Sequence, residues 1–473
     1  MKVLNYILLS AILVIASSCE DFLNVNDNPN NLIEVPSGDL LLKGTLLANA
    51  QLHKGHMLRS SMYYTGGLIG LQLVQNTIYI YNYTPGDSDP NWTHLYNGIL
   101  TQNKKIREIS PELDALQGII DINEALAIGT ATTIWGDIPY SEAVPDNPGL
   151  QTKPAYDAQL DVYNDVQLLL DRGIQTLQSS VTNIGNEDIF LNGNKTAWIE
   201  AAYTLKARNY LLTKDYASAL AEVVNGISDP ANTLAYRPLG DVYGNSNVIF
   251  NLVESSRAGD MTAAGSFFQD LLDPANANSR NNAKTDETAR RKYMYIHGDG
   301  GSANGIDAAN EPMPLASYEE NLLIWAEALI RTGTTGSNNQ AAIDKLNELR
   351  AYLRSGNAFN LVNAGDTYAY DDFVLADFQN GGIENADGIA VDRAILREII
   401  EERYVSGYTT YMPFNDLRRL RKSDSDVMLP IPFNTPTNTT HVERLLYPNS
   451  EIIGNPNIPS PLPDIFTSTT VNN

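Results

Sequence analysis

The sequence predicts a mainly α-helical protein whose helices come as pairs, joined by long loops with few, short strands. Three observations carry this expectation. Apolar residues recur at three- and four-residue spacing through most of the chain from Asp39 onward. Small residues stand where consecutive helical faces would cross. Strand-like signals are confined to the alternating stretch Tyr79–Tyr83 and a brief apolar run at Val248–Leu252.

The helical spacing predicts helices over Asp39–Leu58, Trp92–Ile109, Ile119–Trp135, Tyr156–Leu177, Lys195–Leu212 and Tyr216–Ile227. It predicts three more over Ser317–Arg331, Asn338–Leu353 and Val391–Tyr404. Asp39, Asn91, Asp157, Asn194, Ser317, Asn338 and Asp392 stand where side-chain caps would start them. In the 195–227 segment, Trp198, Ala202, Leu205, Ala207 and Tyr210 line one helix. After a turn at Thr213–Asp215, Tyr216, Ala219, Leu220 and Val223 line the next. Trp325, Ala326, Ala328 and Leu329, followed by Ala341, Ala342, Leu346 and Leu349, repeat the design. Such helices bury a face only by stacking, which is tetratricopeptide-like logic. The irregular spacing favours degenerate repeats within one α-rich domain over 39–473, with helical pairs near 92–135, 156–227 and 315–354.

Composition excludes some partners. The 56 acidic residues against 32 lysines and arginines give a formal charge of −24. Nucleic acid, whose phosphates call for a basic face, is therefore excluded as a partner, and so is charge-driven binding to an anionic bilayer. The 25 tyrosines outnumber the 11 phenylalanines, a bias suited to surfaces that meet polar ligands.

The chain starts with a lysine, a short apolar run over Tyr6–Ala16 and then small residues ending at Cys19, the only cysteine. The run is shorter than the roughly 20 residues that span a bilayer. Residues 1–18 read as a signal peptide, and Ala16-Ser17-Ser18-Cys19 resembles a bacterial lipobox with its branched residue one place early, at Ile15. Lipid would then attach at Cys19, and the polar segment 19–38 would be a tether. The alternative is an ordinary secretory leader with a stray cysteine, which could form no internal disulfide.

Several blocks in order resemble the SusD/RagB family of surface lipoproteins. They are CEDFLNVNDNPN from Cys19, WGDIPYSEA at 135–143, PAYDAQLDVYNDV at 154–166 and the ARNYLL–KDYASAL pair. SYEENLLIWAEALIRTG, LNELR at 346–350 and ILREIIEERYVSGYTTYMPFNDLRRL at 395–420 complete the set. Phe414-Asn415-Asp416-Leu417 is one residue longer than the aromatic-Asp-Leu run of many members, which points to a divergent branch. The resemblance implies an α-rich SusD-like fold. It also implies a lid over a SusC-like TonB-dependent outer-membrane transporter, and capture of oligosaccharides or peptides without a cofactor. Glu20-Asp21 after Cys19 is similar to the export signal of such lipoproteins.

A sugar binder needs aromatic faces and hydrogen-bonding side chains, so loops near 76–92 and 290–314 are the candidates. Tyr79, Tyr81 and Tyr83 would share one face of an extended stretch, with Trp92 close by in sequence. They form either a stacking platform or an edge strand packed on helices. Tyr293, Tyr295 and His297 beside Arg290 and Arg291 form a second cluster with the same two readings, Tyr295 being its candidate for ligand contact. Trp198 and Trp325 read as core, and Trp135 as the anchor of the WGDIPY turn.

Catalysis finds little support. No histidine pairs with a serine elbow. His53 and His56 lack the glutamate of an H-E-x-x-H site and read as a solvated pair. Glu398, Glu401 and Glu402, near Arg397 and Arg403, suggest ion pairs rather than a glycosidase couple. Residues 298–311 resemble a loose calcium loop through Asp299, Asp307 and Glu311, without the spacing of an EF-hand. A surface glycan-degrading enzyme and a helical-repeat interaction scaffold remain the alternatives to nutrient capture.

Overall fold

The structure, a computed structural model, describes residues 37–145, 153–240, 245–334, 336–359 and 369–473. The leader 1–18, Cys19 and the tether up to residue 36 lie outside the described residues. Its helices are α1 Asp39–Lys54, α2 His56–Tyr64, α3 Leu73–Tyr79, α4 Asp89–Thr93, α5 Thr101–Ile109, α6 Asp114–Trp135, α7 Gln159–Ser179 and α8 Lys195–Leu212. They continue with α9 Tyr216–Val223, α10 Phe267–Leu272, α11 Thr288–Tyr293, α12 Tyr318–Thr332, α13 Asn339–Arg354, α14 Val391–Ser406, α15 Met412–Leu420 and α16 Asn449–Gly454. Six strands of two to four residues, β1 Ile69–Gly70 through β6 Ala369–Tyr370, make three antiparallel two-stranded ribbons. No described helix is long and apolar enough to cross a membrane.

The expected helical pairs form and stack. Helix α6 packs on α7, α8 on α9 and α12 on α13; α7 leans on α8 and α9 on α12, which makes the pairs one layered array. Asn194, Asp215 and Ser317 cap α8, α9 and α12 by accepting amide protons three residues on, at 3.2, 3.1 and 3.1 Å. Asp157 does not cap α7. It accepts from the amides of Tyr140 and Ser141 at 2.7 and 2.8 Å and so pins the WGDIPY turn. Helix α6 is buried nearly all round, as befits the central element of the array. Its contact with α7 is tight because Gly118 and Gly173 face each other. A Cβ on Gly173 would lie 2.7 Å from Ile122 Cγ1 and 3.1 Å from the Gly118 carbonyl.

Four local expectations are corrected. The Asp39–Leu58 helix breaks at Gly55, where a Cβ would stand 2.4 Å from the Gln51 carbonyl oxygen, and α2 leaves in a new direction. His53 and His56 therefore are not a solvated pair. His53 is buried, with Nδ1 on the Asn49 carbonyl at 2.9 Å and Nε2 on the Thr130 hydroxyl at 2.8 Å. Tyr79–Tyr83 is not a strand: α3 runs to Tyr79, and Tyr81 turns the chain with φ of 70°. Val248–Leu252 is not one either, since a π-helix covers Phe250–Ser256. A second π-helix, His94–Leu100, joins α4 to α5 within the helix expected over Trp92–Ile109.

The late helices are held by buried charge. Glu327 of α12, wholly buried, accepts from both Nη atoms of Arg419 at 2.6 Å and from Arg331 Nε at 2.7 Å. Asp416 of α15 accepts from Arg403 Nε of α14 and Arg419 Nε, both at 2.8 Å. A second knot joins Arg280 to Glu402 at 2.7 Å and Glu398 at 2.9 Å, and Arg290 to Glu402 at 2.7 Å. The expected ion pairs on α14 exist, but with different partners: Arg397 reaches the exposed Asp387, and Arg403 serves Asp416. Burial raises Glu398 well above the usual range and Glu401 to about 7, while Arg290 and Arg280 overcome burial to hold Glu402 low. Four glutamates, 287, 398, 401 and 402, face two guanidiniums here, and full ionisation would leave excess buried negative charge.

Two predictions follow from this packing. Gly173→Ala gains helix propensity but overpacks the α6–α7 contact, and should cost about 1–3 kcal/mol by urea denaturation; an unchanged or raised stability would contradict the close approach. Burial lowers the His53 pKa to about 3 from 6.5. The unfolded chain then takes up a proton below pH 6.5 that the folded chain refuses, so stability falls as pH drops through that window. His53→Gln should remove roughly 2–3 kcal/mol of the difference between pH 7 and pH 4.5. Parallel pH profiles for wild type and variant would contradict this.

Candidate functional site

The break between α1 and α2 turns Gln51, Gly55, His56 and Arg59 toward the segment that begins α4. There they meet Pro90, Asn91 and His94 on one side and Val248, Asn251, Leu252 and Ser256 on the other. These residues line an open cleft of about 290 Å³, close to the lower bound of roughly 300 Å³ for small-molecule sites. Both π-helices border it, through His94 and through Asn251–Ser256. Such rare helical turns recur at functional positions because they re-aim side chains.

The wall of the cleft combines apolar Pro90, Val248 and Leu252 with polar side chains, and none of its lining residues carries a carboxylate. Arg59 is 7% exposed. Its Nη2 lies 3.2 Å from His56 Nδ1 and its Nε has no acceptor. Burial lowers the guanidinium to about 10, with the phenols of Tyr63 and Tyr411, and no described carboxylate, opposing that shift. His56 Nε2 is 3.5 Å from Asp87 Oδ1, too long and too oblique for a good bond. Asn91 donates to the Leu52 carbonyl at 3.2 Å, which leaves its amide oxygen free. Burial lowers His94 as well. An internal void of about 40 Å³ near Lys54, Arg208 and Glu320 has room for water and none for a sugar ring. Lys54, buried and lowered to about 7 by that burial, donates to the Thr409 carbonyl at 2.6 Å there.

The residues singled out from sequence lie elsewhere. Tyr83 is buried, its hydroxyl 2.9 Å from that of Ser88. Trp92 is buried with ring centroids 5.0 Å from Trp135 and 4.7 Å from Tyr96, so neither Tyr83 nor Trp92 offers a free face. Tyr79 and Tyr81 are half-buried; Tyr79 meets Tyr63 edge-on, and Tyr81 stacks on Tyr64 at 5.6 Å, 11° from parallel. The Tyr81 hydroxyl accepts from the Asn434 amide at 2.9 Å. Tyr295, half-buried, meets His297 edge-on at 4.8 Å. Trp135 is buried and donates to the Leu446 carbonyl, anchoring its turn. Trp198 is core, whereas Trp325 lies half-buried under Lys345, whose Nζ stands 3.8 Å from the ring centroid. The charged cluster of the second loop is structural: Arg290 belongs to the buried network and Arg291 pairs with Asp273.

The residues of the loose calcium loop separate. Asp299 is exposed and accepts the amides of Gly301 and Ser302, both at 2.9 Å. Asp307 is wholly buried and accepts from the amide and Nδ1 of His297 at 2.9 and 2.8 Å. Glu254 completes a group whose possible ligand atoms lie within 4.8 Å of one another. Its carboxylate accepts from the amides of Gly298 and Gly300. Burial, with Asp307 adding to it, raises Glu254. Glu311 instead accepts from the Tyr293 hydroxyl at 2.6 Å.

Sequence reasoning passed over the cleft. His56 and His94 were visible as histidines without a catalytic partner, and Arg59 lies one residue past the helix expected over Asp39–Leu58. Only the turn at Gly55 brings them together, and no spacing rule signals it.

Comparison with known proteins places this geometry. A SusD-like family model, described as starch-binding and associating with the outer membrane, matches residues 40–448. No curated protein sequence matches the chain. A SusD/RagB family protein from Bacteroides thetaiotaomicron is similar in structure, with a TM-score of 0.68, 17% identity and coverage of 93% of this chain and 99% of that one. A SusD homologue from Bacteroides fragilis gives 0.65, 18%, 92% and 99%. A chitin-binding SusD homologue from Flavobacterium johnsoniae gives 0.62, 17%, 91% and 98%. At these identities the neighbours establish the fold, and the family match over most of the sequence establishes the rest: the chain belongs to the SusD-like family.

Proposed function

We propose that the protein is a cell-surface, lipid-anchored binder that captures oligosaccharides and passes them to a partner TonB-dependent outer-membrane transporter. The observation that carries this is the family match over residues 40–448. The lipobox-like Ala16–Cys19 and the acidic pair behind it support the anchor and the outer surface. Chitin binding by a structural neighbour supports a glycan as ligand.

The chemistry of the cleft favours holding over cutting. Glycoside hydrolysis needs two carboxyl groups about the scissile bond, whereas the cleft offers amide, imidazole, hydroxyl and guanidinium groups without a carboxylate. Half-buried Tyr79, Tyr81 and Tyr295 remain the aromatic candidates for stacking on a sugar, while Tyr83 and Trp92 support the fold beneath.

The reading is testable at its anchor, its partner and its ligand. Palmitate labelling should mark wild type and not Cys19→Ser, and wild type should be accessible on intact cells. Pull-down from detergent-solubilised membrane should recover a large β-barrel protein; recovery of none would remove the transporter partner. A glycan and peptide panel should give binding of an oligosaccharide without release of product, and product release would establish the enzyme reading instead. Tyr295→Ala should weaken that binding several-fold, and Tyr81→Ala should weaken it further at some cost in stability, because its ring stacks on Tyr64 and its hydroxyl accepts from the Asn434 amide. Trp92→Ala should instead destabilise by about 3–5 kcal/mol.

A further inference from the structure

The cleft at the α1–α2 break is an anomaly of charge. The chain carries a net −24, yet none of the residues lining this cleft is acidic, while Arg59, His56 and His94 are all there. Arg59 is more than nine-tenths buried, and no described carboxylate forms an ion pair with it. Its neighbours of opposite tendency are the phenols Tyr63 and Tyr411. Of the other buried guanidiniums, Arg280, Arg290, Arg403 and Arg419 each face at least one carboxylate, whereas Arg350 and Arg444 form no ion pair with a described residue and donate instead to the carbonyls of Asp371 and Lys284 and of Thr467. Arg418 is without a close carboxylate as well, but it donates to the carbonyls of Phe414, Thr133 and Glu443 and to Asn415 Oδ1. Arg59 has only an imidazole nitrogen at 3.2 Å, and its Nε is unpaired.

Leaving a charge buried without a partner is costly, and removing it usually helps folding. A guanidinium kept in that state at the wall of an open cleft is matched to a partner that arrives from outside. Its planar fork fits a carboxylate or a sulfate ester, with two oxygens presented in one plane. The acids nearest the cleft do not fill this role. Asp87 gives Oδ2 to the Thr84 amide and hydroxyl at 2.8 and 2.6 Å and holds Oδ1 3.5 Å from His56 Nε2, so it faces His56 and forms no ion pair with Arg59. Glu254, on the bordering π-helix, is committed to the amides of Gly298 and Gly300.

We infer that the cleft formed by Gln51–Arg59, Pro90–His94 and Val248–Ser256 takes an anionic sugar, a uronate or a sulfated residue, with Arg59 as the counter-charge. This rests on the glycan-capture reading above and narrows its ligand class. Asn91, whose amide oxygen is free, and Ser256, whose hydroxyl oxygen can still accept, supply neutral groups suited to ring hydroxyls, while Asn251 is held by Ser246 and His94 stands at the accessible edge.

The test is calorimetric titration of the full mature chain carrying Cys19→Ser with three probes of matched length. They are an oligogalacturonate, a sulfated galactan oligomer and a neutral chito-oligosaccharide. At least one acidic probe should bind more tightly than the neutral one, and which of the two does so identifies carboxylate or sulfate as the chemistry. Arg59→Met should weaken the acidic probe roughly tenfold or more while leaving the melting temperature unchanged or raised. Arg59→Lys should restore part of the affinity. His94→Glu, at a partly exposed position, should weaken the acidic probe by charge repulsion, so the inference does not depend on Arg59→Met folding. Tighter binding of the neutral oligomer than of both acidic ones, or acidic affinity unchanged in Arg59→Met or in His94→Glu, overturns the anionic ligand but leaves glycan capture standing. Binding of none of the three nor of any glycan in the wider panel overturns both.

Discussion

Two buried guanidinium–carboxylate knots hold the late part of this chain, and most of the architecture depends on them. Glu327 with Arg419 joins α12 to α15, Asp416 with Arg403 joins α15 to α14, and Arg280 and Arg290 with Glu402 join the 280–290 segment to α14. Each charge is expensive to bury, and each knot closes only when residues far apart in sequence meet, so the knots are all-or-none contacts. From this block tyrosines reach the first helices: Tyr404 donates to the Thr65 carbonyl at 2.7 Å, Tyr408 to Gly67 at 2.8 Å and Tyr411 to Leu52 at 3.1 Å. The charged knots thereby fix where α1 and α2 lie, and those two helices form one wall of the cleft.

How much of this was legible in the sequence depends on range. Helical pairs were legible because a buried face repeats its apolar residues at a fixed spacing, and α8 begins and ends where that spacing says. The knots were half legible: α14 advertised ion pairs, but a glutamate finds its arginine in space, and Arg280 stands more than a hundred residues before Glu402. The tyrosines of 79–83 misled because alternation over five residues is compatible with a helix end. Packing against Tyr63 and Tyr64 settled the conformation, with Tyr81 in the left-handed region. Gly118 and Gly173 carried no obvious signal, since a helical glycine reads as a weak spot until its neighbour is known. The leader and Cys19 remain readable only as sequence.

Rigid and adaptable parts are divided accordingly. Stacked helical pairs and buried charge make a frame, and the groups lining the cleft sit where regular helix fails: at Gly55, at His94–Leu100 and at Phe250–Ser256. A capture protein gains from this division, because a polar site that is already formed loses little entropy when it closes on a ligand. The strong negative charge of the molecule as a whole sharpens the contrast with a cleft whose wall holds a guanidinium and two imidazoles.

Native-state hydrogen exchange tests the central claim that the charged knots make α12, α14, α15 and the 280–290 segment one cooperative unit supporting the cleft. The account predicts that amides in these four segments share one high opening free energy, and that Glu327→Gln lowers it in all four together. Independent opening of α14 or of 280–290, with α12 unaffected by the substitution, would contradict it.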